Sequence, residues 1–322
     1  MKSITSKLNL KILTLLAFIL ILACQKDEEV DVNGQGFAPP SAVDQMKDIM
    51  KSAAPKVQKF SMKGEASAAF IGAEGVVINI PANAFVDKNG NPVTGLLTVS
   101  LKEVLTPGAM ILEDKPTESN GRILVSGGEL YLRITQGGNE LRLADGKSVE
   151  VRVPTDNFDL EMGVFTGVSS DGNFTWVPAP NILMQQCGGD STSPDPSYCF
   201  GLDTLFNWIN CDYFMNDPRP LTDVVIDVPG GFDNTNTLVF VHIPSTNSLI
   251  KVTNYSNGVF AITNGYRLPV GMVVNFVSIH ADIAGNYFVS YQNNTITQGH
   301  VENLNYQFTF NQAQLVNFIQ SL

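Results

Sequence analysis

Signatures of catalysis are the first thing this 322-residue sequence lacks. It has no Gly-x-Ser-x-Gly elbow, no His-Glu-x-x-His pair, no phosphate loop and no dinucleotide fingerprint. Histidine occurs only three times, which leaves little material for imidazole bases or metal ligands. His242 lies within the apolar run 239–243 and reads as a strand residue. His280 ends a second apolar run two residues before Asp282, with no third member to complete a relay. His300 falls in a polar stretch beside Glu302 and reads as part of a solvated loop. Carboxylates are plentiful, but Asp156, Asp159 and Glu161, or Glu113, Asp114 and Glu118, cannot be placed across a cleft from sequence. The turn Asp87-Lys88-Asn89-Gly90-Asn91 offers oxygen ligands yet lacks the closing Glu of the twelve-residue calcium loop. No catalytic residue, cofactor or metal is therefore expected.

Positive charge is also scarce. Lys and Arg total 20 against 31 Asp and Glu, a net charge of −11. Three of the lysines (Lys2, Lys7, Lys11) precede residue 12, so beyond this leader the balance is 17 − 31 = −14. Such a chain is repelled by nucleic acid and by anionic lipid surfaces. With 44% hydrophobic residues it nevertheless has the material for folded cores rather than a disordered tail.

Apart from its first residues the chain has no long apolar run. The stretch 12–23 follows the three lysines and is about a dozen residues long, too short to span a bilayer comfortably but the length of a signal-peptide core. It ends Ile21-Leu22-Ala23-Cys24, which resembles the lipobox of bacterial lipoproteins, with Ile21 where that family prefers Leu. The resemblance implies removal of residues 1–23 and lipid attachment at Cys24. Several acyl chains there would anchor the protein in membrane lipid, at roughly 0.8 kcal/mol per buried methylene. The following Gln25-Lys26-Asp27-Glu28-Glu29 is similar to the acidic export signal of Bacteroidetes surface lipoproteins, which implies the outer membrane, facing outward. Residues 24–40 read as anchor and tether.

Three further cysteines remain. Cys187 and Cys199 bracket a Gly/Ser/Pro-rich segment, and a bond between them would contribute about 2–3 kcal/mol through loop closure. A Cys199–Cys211 pair is the alternative, and either choice leaves one thiol odd. Zinc is disfavoured by spacings of 12 and 12 with no neighbouring His.

Ser41 and Asp44 form a capping-box pattern before Val43, Met46, Ile49, Met50 and Ala53, which predicts a short helix over 41–56, leaning on the first domain or on a partner. Residues 64–180 then alternate with period two. Val99 and Leu101 alternate with Thr98, Ser100 and Lys102; Leu130, Leu132 and Ile134 with Tyr131, Arg133 and Thr135; Val149, Val151 and Val153 with Ser148, Glu150 and Arg152. Turns at 88–92, 136–139 and 144–147 divide these runs, which predicts antiparallel β-structure uninterrupted by helix. Within 64–155, Ile80-Pro81-Ala82-Asn83-Ala84-Phe85, the run 95–103 and the run 146–154 resemble the ZU5-type module. That resemblance implies a β-sandwich used for interaction. The His-(Phe/Leu)-Ser step of self-cleaving relatives is missing.

Residues 181–200 read as a Cys/Gly/Ser/Pro linker. A second β domain is predicted over 201–322, with strands near 224–228, 238–243, 273–279, 287–291 and 306–310. Asn311 would cap a closing helix carrying Leu315, Ile319 and Leu322 on one face. The expected fold class is thus all-β, with two antiparallel sandwich-like domains and a short C-terminal helix. Tyr255, Phe260 and Tyr266 lie near Asn254, Asn257 and Asn264, and Tyr287 and Tyr291 near Asn293 and Asn294. Aromatic planes beside amides suit a glycan-binding face or a protein interface, so these five aromatics are the candidate ligand-binding residues. The expectation is a non-catalytic surface binding protein for an envelope or extracellular protein or glycan, with no nucleic-acid partner. The alternatives are a carbohydrate-active accessory protein or enzyme on extracellular polysaccharide, and a structural envelope protein.

Overall fold

The computed structural model describes residues 41–156, 158–170, 173–188, 196–205 and 207–322. The signal segment, Cys24 and the tether lie outside the described residues. The helices are Ala42–Ala53 (α1), Pro107–Glu113 (α2) and Gln312–Gln320 (α3). The longer strands in the first half are Gln58–Lys63 (β1), Ala68–Ile71 (β2), Val77–Ile80 (β3), Leu96–Val104 (β4), Arg122–Gln136 (β5), Val149–Pro154 (β6), Gly163–Ser170 (β7) and Asn173–Pro178 (β8). They continue with Met184–Cys187 (β9), Ser197–Leu202 (β10) and Trp208–Phe214 (β11). In the second half come Val224–Asp227 (β12), Thr237–Ile243 (β13), Ser248–Lys251 (β14), Val259–Ile262 (β15), Val273–Ala281 (β16), Tyr287–Thr295 (β17), His300–Asn303 (β18) and Phe308–Phe310 (β19). The architecture is all-β, built of open sheets and closed by a short C-terminal helix.

Period-two alternation explains the first pair of sheets. In β4, Leu97, Val99 and Leu101 are buried, and in β6 so are Val149, Val151 and Val153. One sheet runs β1-β4-β5-β11-β7-β8 and the other β9-β10-β6-β3-β2. Their inward faces share one apolar core that includes Val76, Ile78, Leu130, Leu132, Ile209 and Phe200. A second pair runs β15-β12-β18 and β14-β13-β16-β17-β19 around Val224, Ile226, Val241, Phe260 and Phe276.

Four features depart from the sequence expectation. The supposed linker 181–200 carries β9 and β10, and β10 pairs along β6 from Val149↔Leu202 to Pro154↔Ser197. Likewise β11, within the stretch 201–322 assigned to the second domain, lies between β5 and β7. Strand pairing with the first half thus continues to Phe214, because these short runs complete sheets whose other strands lie far back in sequence. A helix, α2, does interrupt the first half. Thr106 caps it by accepting from Ala109 N at 3.2 Å, Pro107 fills its first turn, and Asp114 ends it in the left-handed region. Finally, β12 and β18 pair in parallel, whereas every other pairing of the named strands is antiparallel.

The capping box at Ser41 is present, and α1 packs on both halves. Val43, Met46 and Met50 join Met110, Ile111 and Leu112 of α2, Leu315 and Ile319 of α3, and Phe240, Val277 and Val289 of the sheet. Hydrogen bonds cross the same junction. Thr117 N donates to Leu249 O at 2.9 Å, and Ser248 Oγ donates to Leu124 O at 2.6 Å. Residues 41–322 accordingly form one compact unit.

Cys187 and Cys199 are joined as a disulfide with Cα atoms 5.9 Å apart. Cys211 is a buried free thiol on β11, so the alternative Cys199–Cys211 pairing is not formed. Burial pushes its pKa well above the ordinary thiol value, as expected of an inert core cysteine.

Candidate functional site

The five aromatics singled out from sequence do not converge. Phe260 lies in the core of the second pair of sheets, opposite Ile226 on β12, and is 1% exposed. Tyr287 is buried on β17 beneath the helices. Both point inward because the strand period puts them in phase with buried neighbours, Ile262 for Phe260 and Val289 for Tyr287. They are core residues and not ligand contacts. Tyr255 is half-buried, its ring 4.8 Å from that of Phe260 and its hydroxyl donating to Phe232 O at 3.4 Å. Tyr266 and Tyr291 remain, in two separate places.

Tyr266 lines a cleft of about 490 Å³ together with Glu118, Lys251, Thr253, Asn254 and Thr263. Its hydroxyl bonds the Glu118 carboxyl, and Lys251 N donates to Glu118 Oε1 at 3.0 Å. Burial raises the Glu118 pKa, and it raises that of Tyr266 further, with the neighbouring Glu118 charge as the next cause. Lys251 Nζ is engaged by Asp114. Glu118 is the one carboxylate among the residues lining this cleft. Hydrolysis by paired acids requires a second, at about 5–9.5 Å across the bond to be cut.

Tyr291 belongs to a different surface, the open end of the five-stranded sheet on the face that the helices partly cover. Register places His242, Asn275 and Asn293 side by side across β13, β16 and β17. Asn275 Nδ2 donates to His242 Nδ1 at 3.3 Å, and Asn293 Nδ2 donates to Asn275 Oδ1 at 2.8 Å. Tyr291 is two residues from Asn293 and so shares its face. Phe308 sits opposite Val289, two residues further along, and joins the same face. The rings of Phe308 and Phe310 stack 5.5 Å apart, and Phe318 of α3 lies 6.0 Å from Tyr291 and 6.2 Å from Phe308. Tyr291 is 36% and Phe308 41% exposed. An amide ladder therefore adjoins an accessible aromatic cluster.

The segment that supplies the rings of this surface is poor in charge. Glu302 is the only Asp, Glu, Lys or Arg after Asp282. Burial lowers the His242 pKa to about 4, so its imidazole is neutral at physiological pH. The unfolded chain binds a proton at this residue near pH 6.5 and the folded one does not until about pH 4. Its contribution to stability is thus complete above pH 6.5 and is lost as pH falls towards 4. Thermal melts of His242→Gln should show a shallower decline over that window than the parent. Equal slopes would refute the assignment.

The other sequence candidates have structural explanations. His280 is stacked on Phe232 at 3.5 Å and contacts Thr237 Oγ1, so it packs as a strand residue. The His300–Glu302 pair, expected in a solvated loop, is instead buried on β18. His300 Nε2 lies 3.1 Å from Glu302 Oε2, and Gln292 and Asn294 donate to the same carboxylate. Asp87 spends its oxygens on Asn89 N, Asn91 N and Asn91 Nδ2 of its own turn. Among the described residues no group of three or more His, Cys, Asp or Glu is gathered as a metal site. Sequence reasoning missed Phe308, Phe318 and Asn275. The signal that would have found the first two was the charge-poor, amide-rich composition after Asp282.

No family model and no curated protein matches this chain. Among solved structures it is similar to a crystal structure of gamma-CGTase from alkalophilic Bacillus clarkii. The identity is 10% and the TM-score 0.18, over 76% of this chain and 40% of that one. The chain thus spans well under half the length of that structure, and at this TM-score the likeness carries no inference about fold or activity.

Proposed function

We propose that this chain is a non-catalytic, lipid-anchored surface protein whose open sheet face binds a partner, with a neutral glycan as the preferred ligand class. The observation that carries the reading is the junction of the His242–Asn275–Asn293 ladder with the exposed rings of Tyr291 and Phe308. Pyranose rings present apolar C–H faces that stack on aromatic planes, and vicinal hydroxyls that match amide donors and acceptors. Because the segment after Asp282, which supplies both rings, carries a single charged residue, Glu302, it does not favour anionic or cationic ligands. The sequence resemblances supply the setting: lipid on Cys24, an outer-membrane surface location, and a ZU5-like sandwich in the first half of the chain.

One observation favours the second reading, a carbohydrate-active enzyme. Glu118, with its raised pKa, lies in a cleft beside Tyr266, as a proton-donating acid would. The cleft contributes one such group where the paired mechanism uses two, so binding is preferred.

The test is a glycan array of the soluble chain lacking residues 1–24, followed by calorimetry on any neutral oligosaccharide retained. Tyr291→Ala and Phe308→Ala are each expected to weaken binding at least about tenfold, equivalent to about 1.4 kcal/mol. Tyr266→Phe should leave it unchanged. Loss of binding in Tyr266→Phe with full binding in the other two would move the site to the cleft. A saturable protein partner with no glycan retained would sink the glycan reading.

A further inference from the structure

Two carboxylates buried outside both surfaces keep three oxygens without a hydrogen-bond partner. In β5 and β11, Asn210 pairs with Glu129, but the next pair in register is Asp212 with Ser126. The extra residue forms a bulge at Gly127-Gly128, and only glycine fits there. Gly128 has φ +120°, while a side chain at Gly127 would press on Tyr198 and on the Cys211 carbonyl. The bulge turns Ser126 and Glu129 towards the same side as Asn210 and Asp212.

Glu129 and Asp212 are both fully buried. Asp212 Oδ2 accepts from Asn210 Nδ2 at 2.6 Å, and Asn210 Oδ1 accepts from Ser126 Oγ at 3.2 Å. Asp212 Oδ1 and both carboxylate oxygens of Glu129 have no hydrogen-bond partner. Nor does a lysine neutralise them by contact. Lys115 Nζ, whose charge acts on Glu129, lies over the rings of Phe174 at 4.1 Å and Trp208 at 5.2 Å and makes no ion pair. Lys102 is paired with Glu113. Glu113 and Asp114 add further negative charge to the surroundings of Lys115.

Protonation alone would leave the Glu129 O–H and the remaining lone pairs without partners in a dry interior, a costly arrangement. We infer that this bulge is a structural site for a hard divalent cation of the calcium or magnesium class, held by Glu129 and Asp212 with Ser126 beside them. A doubly charged ion matches two carboxylates in charge, and oxygen-only donors are what such ions select. The inference goes against the sequence expectation of no metal, because these acids lie 83 residues apart and meet only through strand pairing. Position gives the ion a purpose. Asn247 Nδ2 donates to Ser126 O at 3.4 Å and Ser248 Oγ donates to Leu124 O, so an ion here would fix the part of β5 on which the second half docks.

The experiment is elemental analysis of the purified full-length chain, then calorimetric titration of chelator-treated protein with calcium chloride and, separately, magnesium chloride. About one equivalent of one ion per chain is expected, with a raised melting temperature on rebinding. Glu129→Gln and Asp212→Asn should each weaken it at least tenfold, and Ser126→Ala less. If these variants fail to fold, the ion content and chelator-dependent melting of the parent decide the matter. The proposal is overturned if the parent carries neither ion and its melting is indifferent to both. It is also overturned if either charge-neutralising variant binds the ion like the parent.

Discussion

Trp176→Ala is expected to cost about 3–5 kcal/mol of stability, the usual range for emptying a buried tryptophan site. The side chain is fully buried against Leu124 and Phe165, with the Phe174 ring edge-on at 4.9 Å. Its Nε1 also donates to Pro116 O at 3.1 Å. That bond holds the segment leading to Thr117, whose N–H and Oγ1 both bond to Leu249 of β14. Removing the indole therefore opens a cavity and frees a strap between the two halves. Urea unfolding followed by far-ultraviolet circular dichroism should show the shift in midpoint. Trp176→Phe, which keeps an aromatic ring but loses the donor and part of the indole's volume, should lose less than the alanine variant. A loss below about 1 kcal/mol in the alanine variant would mean that the strap is held elsewhere.

The same region shows where sequence reading succeeds and where it stops. Alternation located β4, β5 and β6 because each buries one face against the opposing sheet, a local consequence of the strand period. It could not foresee that the other face of β5 is also covered. By period, Glu129 belongs with Tyr131 and Arg133 on the wet side of Leu130, Leu132 and Ile134. It is buried all the same, with Lys115 and Glu113 of the α2 segment and Asp212 of β11 as its charged neighbours, and no local pattern encodes that covering. The helix α2 escaped notice for a related reason. Seven residues are too few to display a 3.6-residue period, although Thr106-Pro107 is a sound start signal.

Composition misled in one place and helped in another. Gly, Ser and Pro around 188–196 resemble a linker, yet the flanking β9 and β10 are ladder partners joined by Cys187–Cys199. A connection between two paired strands can have the same composition as a boundary. Pairing aromatics with neighbouring amides picked out Tyr291, which the structure leaves 36% exposed. It failed for Phe260 and Tyr287 because proximity to an asparagine in sequence says nothing about which face of the strand a ring occupies.

Glu103 is the acid whose burial alternation does reveal, and its loss is the second large effect expected. It continues the inward series Leu97, Val99, Leu101, so a carboxylate points at the edge of a hydrophobic core. It is tolerated there because three donors meet it. Val76 N reaches Oε1 at 2.9 Å, while Glu74 N and Gln58 Nε2 reach Oε2 at 3.0 and 2.7 Å. Gly72 leaves room for this, since a Cβ at that position would collide with the carboxyl group. Glu103→Ala removes the acceptor for all three donors, two of them backbone N–H groups in the turn between β2 and β3. Each buried donor left unpaired costs about 1–3 kcal/mol, partly relieved where water can enter. A total near 3–5 kcal/mol is therefore expected, read as a fall in the urea midpoint. Glu103→Gln keeps the shape but turns one acceptor into a donor facing N–H groups, so it should recover only part of the loss. If the alanine and glutamine variants both unfold like the parent, the turn is held by its own backbone bonds, Gly72 N to Val76 O at 2.8 Å and Gly75 N to Gly72 O at 3.2 Å, and the carboxylate is incidental.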